Sequence, residues 1–405
     1  MKYLLLPVCG FLLFFTGWSQ PTAVHKGPEG KWRGVFKLKD GVEIPFNFGI
    51  VSNTTGAPTA YLLNAEEKFE AGAVRITADS VFISLNQFDN ELAFSFKGDE
   101  MTGVFRRQDK TGPEVPVAAS RNAAYRFKET GIVPDRDFSG RYSVEFRTEK
   151  GVGIFTQKGN HLRAVFLKTT GDSRYLEGIV EGNHFYLSSF IGANPSYYYG
   201  TIDADGKMTA TFTTPRSSQE FSGKFDERAA LPDAYSITNL KDGYSTFDFC
   251  FPDVHGKKIS PHDPRYRNKV LVVTIGGTWC QNCMDEAAFL APWYKKNKNR
   301  GVDVIAIHYE RQMDTVYIKK VLTRFRQRFG ITYDAVLGGA MPDLAQVAAT
   351  LPSLKTFVGF PTTLFIDRKG QVARIHTGFS GPATGKYYTD FVKEFNDEID
   401  LLLQH

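Results

Sequence analysis

The sequence predicts a multi-domain chain: an N-terminal all-β region, read as a duplicated barrel or sandwich, followed by a C-terminal α/β domain. Three observations carry this. Apolar residues recur with period two between about residues 30 and 230. Beyond about residue 235, continuous apolar runs alternate with helical stripes. A length of 405 residues also exceeds what one hydrophobic core usually serves.

Residues 1–19 read as a secretory signal. Lys2 supplies a positive start, Leu4 to Phe15 an apolar run, and Gly17-Trp18-Ser19 the small residues before a cut at Gln20. The run is too short to cross a hydrocarbon core of ~30 Å comfortably, which favours a cleaved signal over the alternative, an uncleaved anchor. Cys9 lies inside it rather than after it, so lipidation there is not expected. Net charge is +5 without a basic stripe, which argues against a nucleic-acid partner.

In the β region, Tyr142, Val144 and Phe146 alternate with polar residues, as do Leu92, Phe94 and Phe96 with Ala93, Ser95 and Lys97. Turn signals recur at Lys39-Asp40-Gly41, Lys97-Gly98-Asp99 and Asp203-Ala204-Asp205-Gly206. The region also matches itself. Gly30-Lys31-Trp32 followed by Phe36 parallels Gly140-Arg141-Tyr142 followed by Phe146. Ser80-Val81-Phe82-Ile83-Ser84 parallels His184-Phe185-Tyr186-Leu187-Ser188, and Met101 to Phe105 parallels Met208 to Phe212. The expected units are 30–107 and 139–232, each of about six to eight strands. Residues 108–138, with their Pro, Gly and charged residues, read as a linker.

From 240 to 405 the pattern changes. Lys269 to Ile275 and Val302 to Ile307 read as buried strands, with a helix between them that follows the cysteines to about Lys298. Ile318, Val321, Leu322, Phe325 and Phe329 form a helical stripe that Gly330 is placed to end. A strand is expected at 331–337, a short helix at 343–349, a hairpin over 362–376 and a closing helix with Phe391, Phe395 and Ile399 on one face.

The most specific motif is Trp279-Cys280-Gln281-Asn282-Cys283, between strand and helix. With the signal removed, three cysteines remain, too few for a disulfide framework. A zinc half-site is the competing reading. Zinc needs about four ligands, and Cys250 is the one further candidate, so redox chemistry is favoured and no metal or other cofactor is expected.

Together these residues resemble the TlpA/ResA-like thiol–disulfide oxidoreductases, a thioredoxin-fold family. The resemblance covers roughly the last two-fifths of the chain. It rests on Phe249-Cys250-Phe251-Pro252-Asp253 with Gly256-Lys257, on Gly277-Thr278-Trp279-Cys280 with Cys283, and on Phe360 to Asp367. The 331–349 segment matches that family's central insertion. The resemblance implies a cis peptide bond before Pro361 and a substrate surface of Trp279, Phe360 and Pro361. It also implies protein thiol or disulfide substrates, such as apocytochrome or outer-envelope cysteines, a membrane-bound electron donor, and action as a reductant. Cys280, at the helix N-terminus, is expected to be the exposed nucleophile, and Cys283 the buried resolving thiol.

Glu286 falls where the family often has a glutamate. It is read either as the proton carrier for Cys283 or as a solvated acid near the helix start. Two residues depart from the family pattern: Ala288 replaces a common proline, leaving Pro292 in the helix, and Met284 replaces a commonly basic residue.

Several other residues have blander readings. Phe360 is a platform or a packing residue. Cys250 is a buried strand residue or a third redox thiol. His308 is a satisfied histidine, and Lys295 to Arg300 solvates a helix end. Arg324, Arg326 and Arg328 form a solvated face, and Tyr197-Tyr198-Tyr199 is core plus surface. The competing functions are an envelope binding module and a thioredoxin-fold peroxidase.

Overall fold

The computed structural model describes residues 27–404, except 53–55, 122, 124 and 342. The expected signal segment lies outside the described residues. No helix among the described residues is long and apolar enough to cross a membrane.

Eight antiparallel strands form the first barrel, each paired with its neighbour in sequence, and Gly30–Lys37 closes the ring against Val115–Arg121. The second repeats this plan. Gly140–Glu145 pairs with both Lys150–Lys158 and Ser217–Phe225, and Lys150–Lys158 pairs with His161–Lys168 to complete an eight-strand ring. A two-residue strand, Gly171–Asp172, folds back on the edge of His161–Lys168.

The sequence repeat maps onto equivalent positions. Gly30 and Gly140 open their barrels with φ of 127° and 129°, a left-handed backbone that glycine accepts without a Cβ penalty. Two residues on, the Trp32 indole donates to the Pro28 carbonyl (2.8 Å) and the Tyr142 hydroxyl to the Phe138 carbonyl (3.1 Å), each four residues back. Ser80–Leu85 and His184–Ser189 are the fifth strands of their rings, and Glu100–Arg107 and Lys207–Thr214 the seventh.

The expected linker needs correction: Val115–Arg121 is the eighth strand of the first barrel. Its sequence buries only Val117 and Ala119 and carries Pro116, so it lacks the bulky alternation that marks the other strands.

The barrels are joined by side chains that cross between them. Phe190, just after a strand of the second barrel, enters the core of the first and packs against Phe36, Phe46 and Phe105 at centroid distances of 4.8, 5.1 and 5.4 Å. Arg126, again from the expected linker, is 5 % exposed. Its guanidinium donates to Asn47 Oδ1 (3.2 Å), Asn64 Oδ1 (3.3 Å) and the Ser188 carbonyl (2.9 Å), and also to the Leu63 carbonyl. Burial lowers its pKa to about 10, so it remains charged at neutral pH. Lysine cannot reproduce this fork. Arg126→Lys is therefore expected to lower stability by about 2 kcal/mol, read from denaturant midpoints at unchanged m-value.

The C-terminal domain holds a five-stranded sheet in the order Asp334–Ala340, Val302–Glu310, Val270–Gly276, Thr362–Ile366, Val372–Thr377. The first three strands are parallel, Thr362–Ile366 runs antiparallel to them, and Val372–Thr377 runs antiparallel to it in turn. Val270–Gly276 is buried along its whole length, as its apolar run requires. Val270 and Val272 face helices α1 (Gln281–Asn297) and α4 (Lys386–Gln404), whereas Leu271, Val273 and Ile275 face the layer containing Phe247, Ile259 and Val347. Between these helices come α2 (Thr315–Phe329) and α3 (Leu344–Ala349). The edge strand starts at Asp334 rather than 331, because Ile331 and Tyr333 are buried in the approach to it.

The arginines of α2 also need correction. Arg324 lies 3.6 Å from Asp89, and Arg328 donates to the Glu70 carbonyl (3.0 Å) with its guanidinium over the Phe69 ring at 4.2 Å. They dock α2 on the first barrel instead of facing only solvent.

Candidate functional site: a cysteine pair at a helix start

Val270–Gly276 delivers the chain through Gly277-Thr278-Trp279 to Cys280, the N-cap of α1. Cys280 has extended backbone, and its sulfur accepts the Cys283 amide hydrogen at 3.2 Å. Cys280 and Cys283 form a disulfide with a Cα–Cα distance of 5.2 Å. This amide and the positive end of the helix favour the Cys280 thiolate once the bond is reduced.

Two anchors hold the loop. The Trp279 indole donates to the Tyr309 carbonyl (2.9 Å), and the Thr278 amide and hydroxyl both donate to the Glu310 carboxylate (2.9 Å each). Glu310 is fully buried at the end of its strand, and burial raises its pKa to about 7 against the opposing Thr278 bonds. Sequence reasoning missed Glu310. The only available signal was an acid ending an otherwise apolar strand.

His308, two residues earlier on the same face, has Nδ1 3.7 Å from Glu310 and, among the described residues, without a hydrogen-bond partner. Burial lowers its pKa to about 4, so this contact is not an ion pair and the histidine is not the satisfied one expected.

Glu286 lies one turn beyond Cys283 on α1 and is 6 % exposed, not solvated. Its carboxylate accepts from the Thr363 hydroxyl, and Thr363 pairs in register with Thr274 across the sheet. Burial raises the Glu286 pKa to about 7, with the Thr363 bond opposing the shift. Pro292 sits inside α1, which runs unbroken to Asn297.

The Phe360–Pro361 bond is cis. Phe360 itself is 8 % exposed and packs edge-on against Trp279 (5.7 Å) and Phe357 (5.2 Å), so it supports Trp279 from beneath more than it presents a surface.

Two exposure expectations are reversed. Cys280 is only 8 % exposed, and a turn of the second barrel packs on its neighbours Gln281 and Asn282. Cys250 is a free, exposed thiol: Phe247 and Phe249 turn inward beside it, which sends Cys250 outward. Tyr198 is core, with Tyr197 and Tyr199 partly exposed. Among the described residues, no group of three or more His, Cys, Asp or Glu side chains is arranged to hold a metal ion.

Comparisons with known proteins fall on this domain. The AhpC/TSA family model matches residues 243–375. The thiol–disulfide oxidoreductase ResA of Geobacillus kaustophilus is 29 % identical over 141 residues, which is 35 % of this chain and 72 % of that protein. ResA of Bacillus subtilis is 24 % identical over 155 residues, 38 % of this chain and 78 % of that protein. Among solved structures, a thiol-disulfide oxidoreductase from Bacteroides fragilis covers 38 % of this chain and 99 % of its own at 21 % identity, with a TM-score of 0.28. With its α/β sheet and its cysteine pair at a helix start, the C-terminal domain resembles the TlpA/ResA-like thiol–disulfide oxidoreductases, and its residues 243–375 carry the AhpC/TSA match.

Proposed function

We propose that the protein is an exported thiol–disulfide oxidoreductase that reduces protein disulfides through Cys280 and Cys283. The observation that carries the reading is the disulfide between these two residues, with Cys280 capping α1. In the reduced enzyme the Cys280 thiolate attacks one sulfur of a substrate disulfide. A mixed disulfide forms, and the other substrate sulfur leaves as a thiolate that takes up a proton. The Cys283 thiolate then attacks the Cys280 sulfur and releases the second substrate thiol. Two electrons have passed to the substrate, and the enzyme is left as the disulfide. An external donor must re-reduce it, and a membrane-bound one is implied by the family resemblance.

Export rests on the signal-like residues 1–19. The reducing direction rests on resemblance to ResA-like proteins, since Gln281 and Asn282 are neutral and do not set a potential.

The test is a trap. Cys283→Ala leaves Cys280 able to attack and removes the resolving thiol. Covalent adducts with envelope proteins, separated without reductant and identified by mass spectrometry, are the expected result. The Cys280→Ala/Cys283→Ala double variant should show none. No adduct across the native envelope overturns the protein-substrate reading. The AhpC/TSA match favours peroxidase chemistry as a second reading. It would appear as hydroperoxide consumption with Cys280 as the residue oxidised.

A further inference from the structure

A turn of the second barrel packs beside Cys280, against Gln281 and Asn282 on one side and Gly359 on the other. Thr169 and Thr170 form the tip of a hairpin whose strands pair Lys168 with Gly171 and Leu167 with Asp172. On one side the hairpin meets the start of α1. Arg174 donates to the Gln281 carbonyl (3.3 Å), and Asn282 donates to the Asp172 carbonyl (3.3 Å). Gly171 lies so close to Asn282 that a Cβ there would collide with its amide. On the other side Thr170 lies over Gly359, where an added Cβ would be 2.6 Å from the Thr170 methyl. The Gly381 amide donates to Asp172 Oδ2 at 2.7 Å. One short turn therefore bridges the two residues between the cysteines and the loop that leads into Pro361.

A buried charge cluster fastens this turn. Arg174 is 8 % exposed and forms ion pairs with Asp285 of α1 and with Glu67 of the first barrel. It thus ties together both barrels and the C-terminal domain. Breaking a buried pair by removing one partner is strongly unfavourable, so the cluster is a latch and not a loose surface contact.

We propose that the Thr169–Arg174 turn is the specificity element of the dithiol site: a lid, latched by Arg174, that admits small reactants to Cys280 and must be displaced before a protein disulfide can reach it. The proposal rests on the oxidoreductase reading for its substrate and on contacts alone for the lid. It gives the second barrel a task at the site: the barrel holds the hairpin that selects what reaches Cys280.

The experiment compares labelling of Cys280 by a small maleimide and by a polyethylene-glycol maleimide, in full-length reduced protein. Cys9→Ser/Cys250→Ser/Cys283→Ala is the background, because Cys250 is exposed and Cys9 is a further thiol of the full-length chain. Arg174→Ala is expected to raise the rate ratio of bulky to small reagent at least about tenfold, as an opened lid requires. Thr170→Gly trims the tip, leaves the latch intact and should shift the ratio the same way. It carries the test if Arg174→Ala does not fold. Equal ratios in the background protein and in folded Thr170→Gly overturn the lid and leave the oxidoreductase reading standing. A shifted ratio in a protein that traps no substrate supports the lid and counts only against that reading.

Discussion

Cys280→Ser should abolish protein-disulfide reduction, a loss of at least about a thousandfold, while leaving the fold intact. Both halves of this expectation come from the N-cap geometry. The Cys280 sulfur occupies the place where a side-chain acceptor takes the Cys283 amide, and serine is a preferred residue there. The substituted helix start therefore keeps its cap. What it loses is the thiolate, which the hydroxyl cannot replace as a nucleophile at neutral pH. An insulin-reduction assay run beside thermal unfolding, with the wild type held in its reduced form so that no disulfide differs, separates the two. Lost turnover with an unchanged midpoint is the expected result. Activity that survives in Cys280→Ser would refute the mechanism, and lost turnover with a lowered midpoint would refute the capping argument. Cys283→Ala must behave differently, because it stops the reaction after the first sulfur exchange and so accumulates adduct.

Much of this arrangement was legible in the sequence, and the misses share a cause. The apolar run to Ile275, the cysteine pair and the hairpin over 362–376 are local, and a single chain segment specifies each, whereas the cis bond before Pro361 is legible only through the family resemblance. The strand Val115–Arg121 was lost because its partner strands, not its own residues, make it a strand. Arg126, Arg324 and Arg328 looked like surface charge, since nothing in a one-dimensional pattern says that a second domain will supply acceptors for an arginine. The packing of a barrel turn on Gln281 and Asn282 was invisible for the same reason: Asp172 and Arg174 lie more than a hundred positions away from the motif they touch. The repeat held one unused clue. Aligning the two units by their fifth and seventh strands places an eighth strand within 108–138.

Glu286→Gln should slow resolution of the mixed disulfide about a hundredfold, the usual worth of a positioned proton carrier, and should also change how stability depends on pH. Glu286 is buried one turn from Cys283, and burial raises its pKa to about 7 from an ordinary 4.5. A carboxyl poised there can take the Cys283 proton near neutral pH and return it. Resolution in the wild type should therefore rise with pH through an inflection near 7, where Glu286 ionises. In Glu286→Gln the inflection should move toward the ordinary thiol value of about 8.5. Coincident inflections would remove Glu286 from the proton path.

The stability effect has the opposite sense to that of a salt-bridged acid. Between pH 4.5 and about 7 the unfolded chain releases the Glu286 proton and the folded chain keeps it, so stability falls as pH rises across this window. Below 4.5 both states hold the proton and the penalty vanishes. Above 7 it is constant, at about 3 kcal/mol. Glutamine carries no charge, and its carbonyl can still accept from the Thr363 hydroxyl that now bonds Glu286. The stability of Glu286→Gln relative to wild type should thus improve by about 3 kcal/mol between pH 4 and pH 8, read from denaturant midpoints at each pH. A difference that does not vary with pH would mean that the carboxyl is already ionised in the folded protein, and its part as a proton carrier at neutral pH would fall with it.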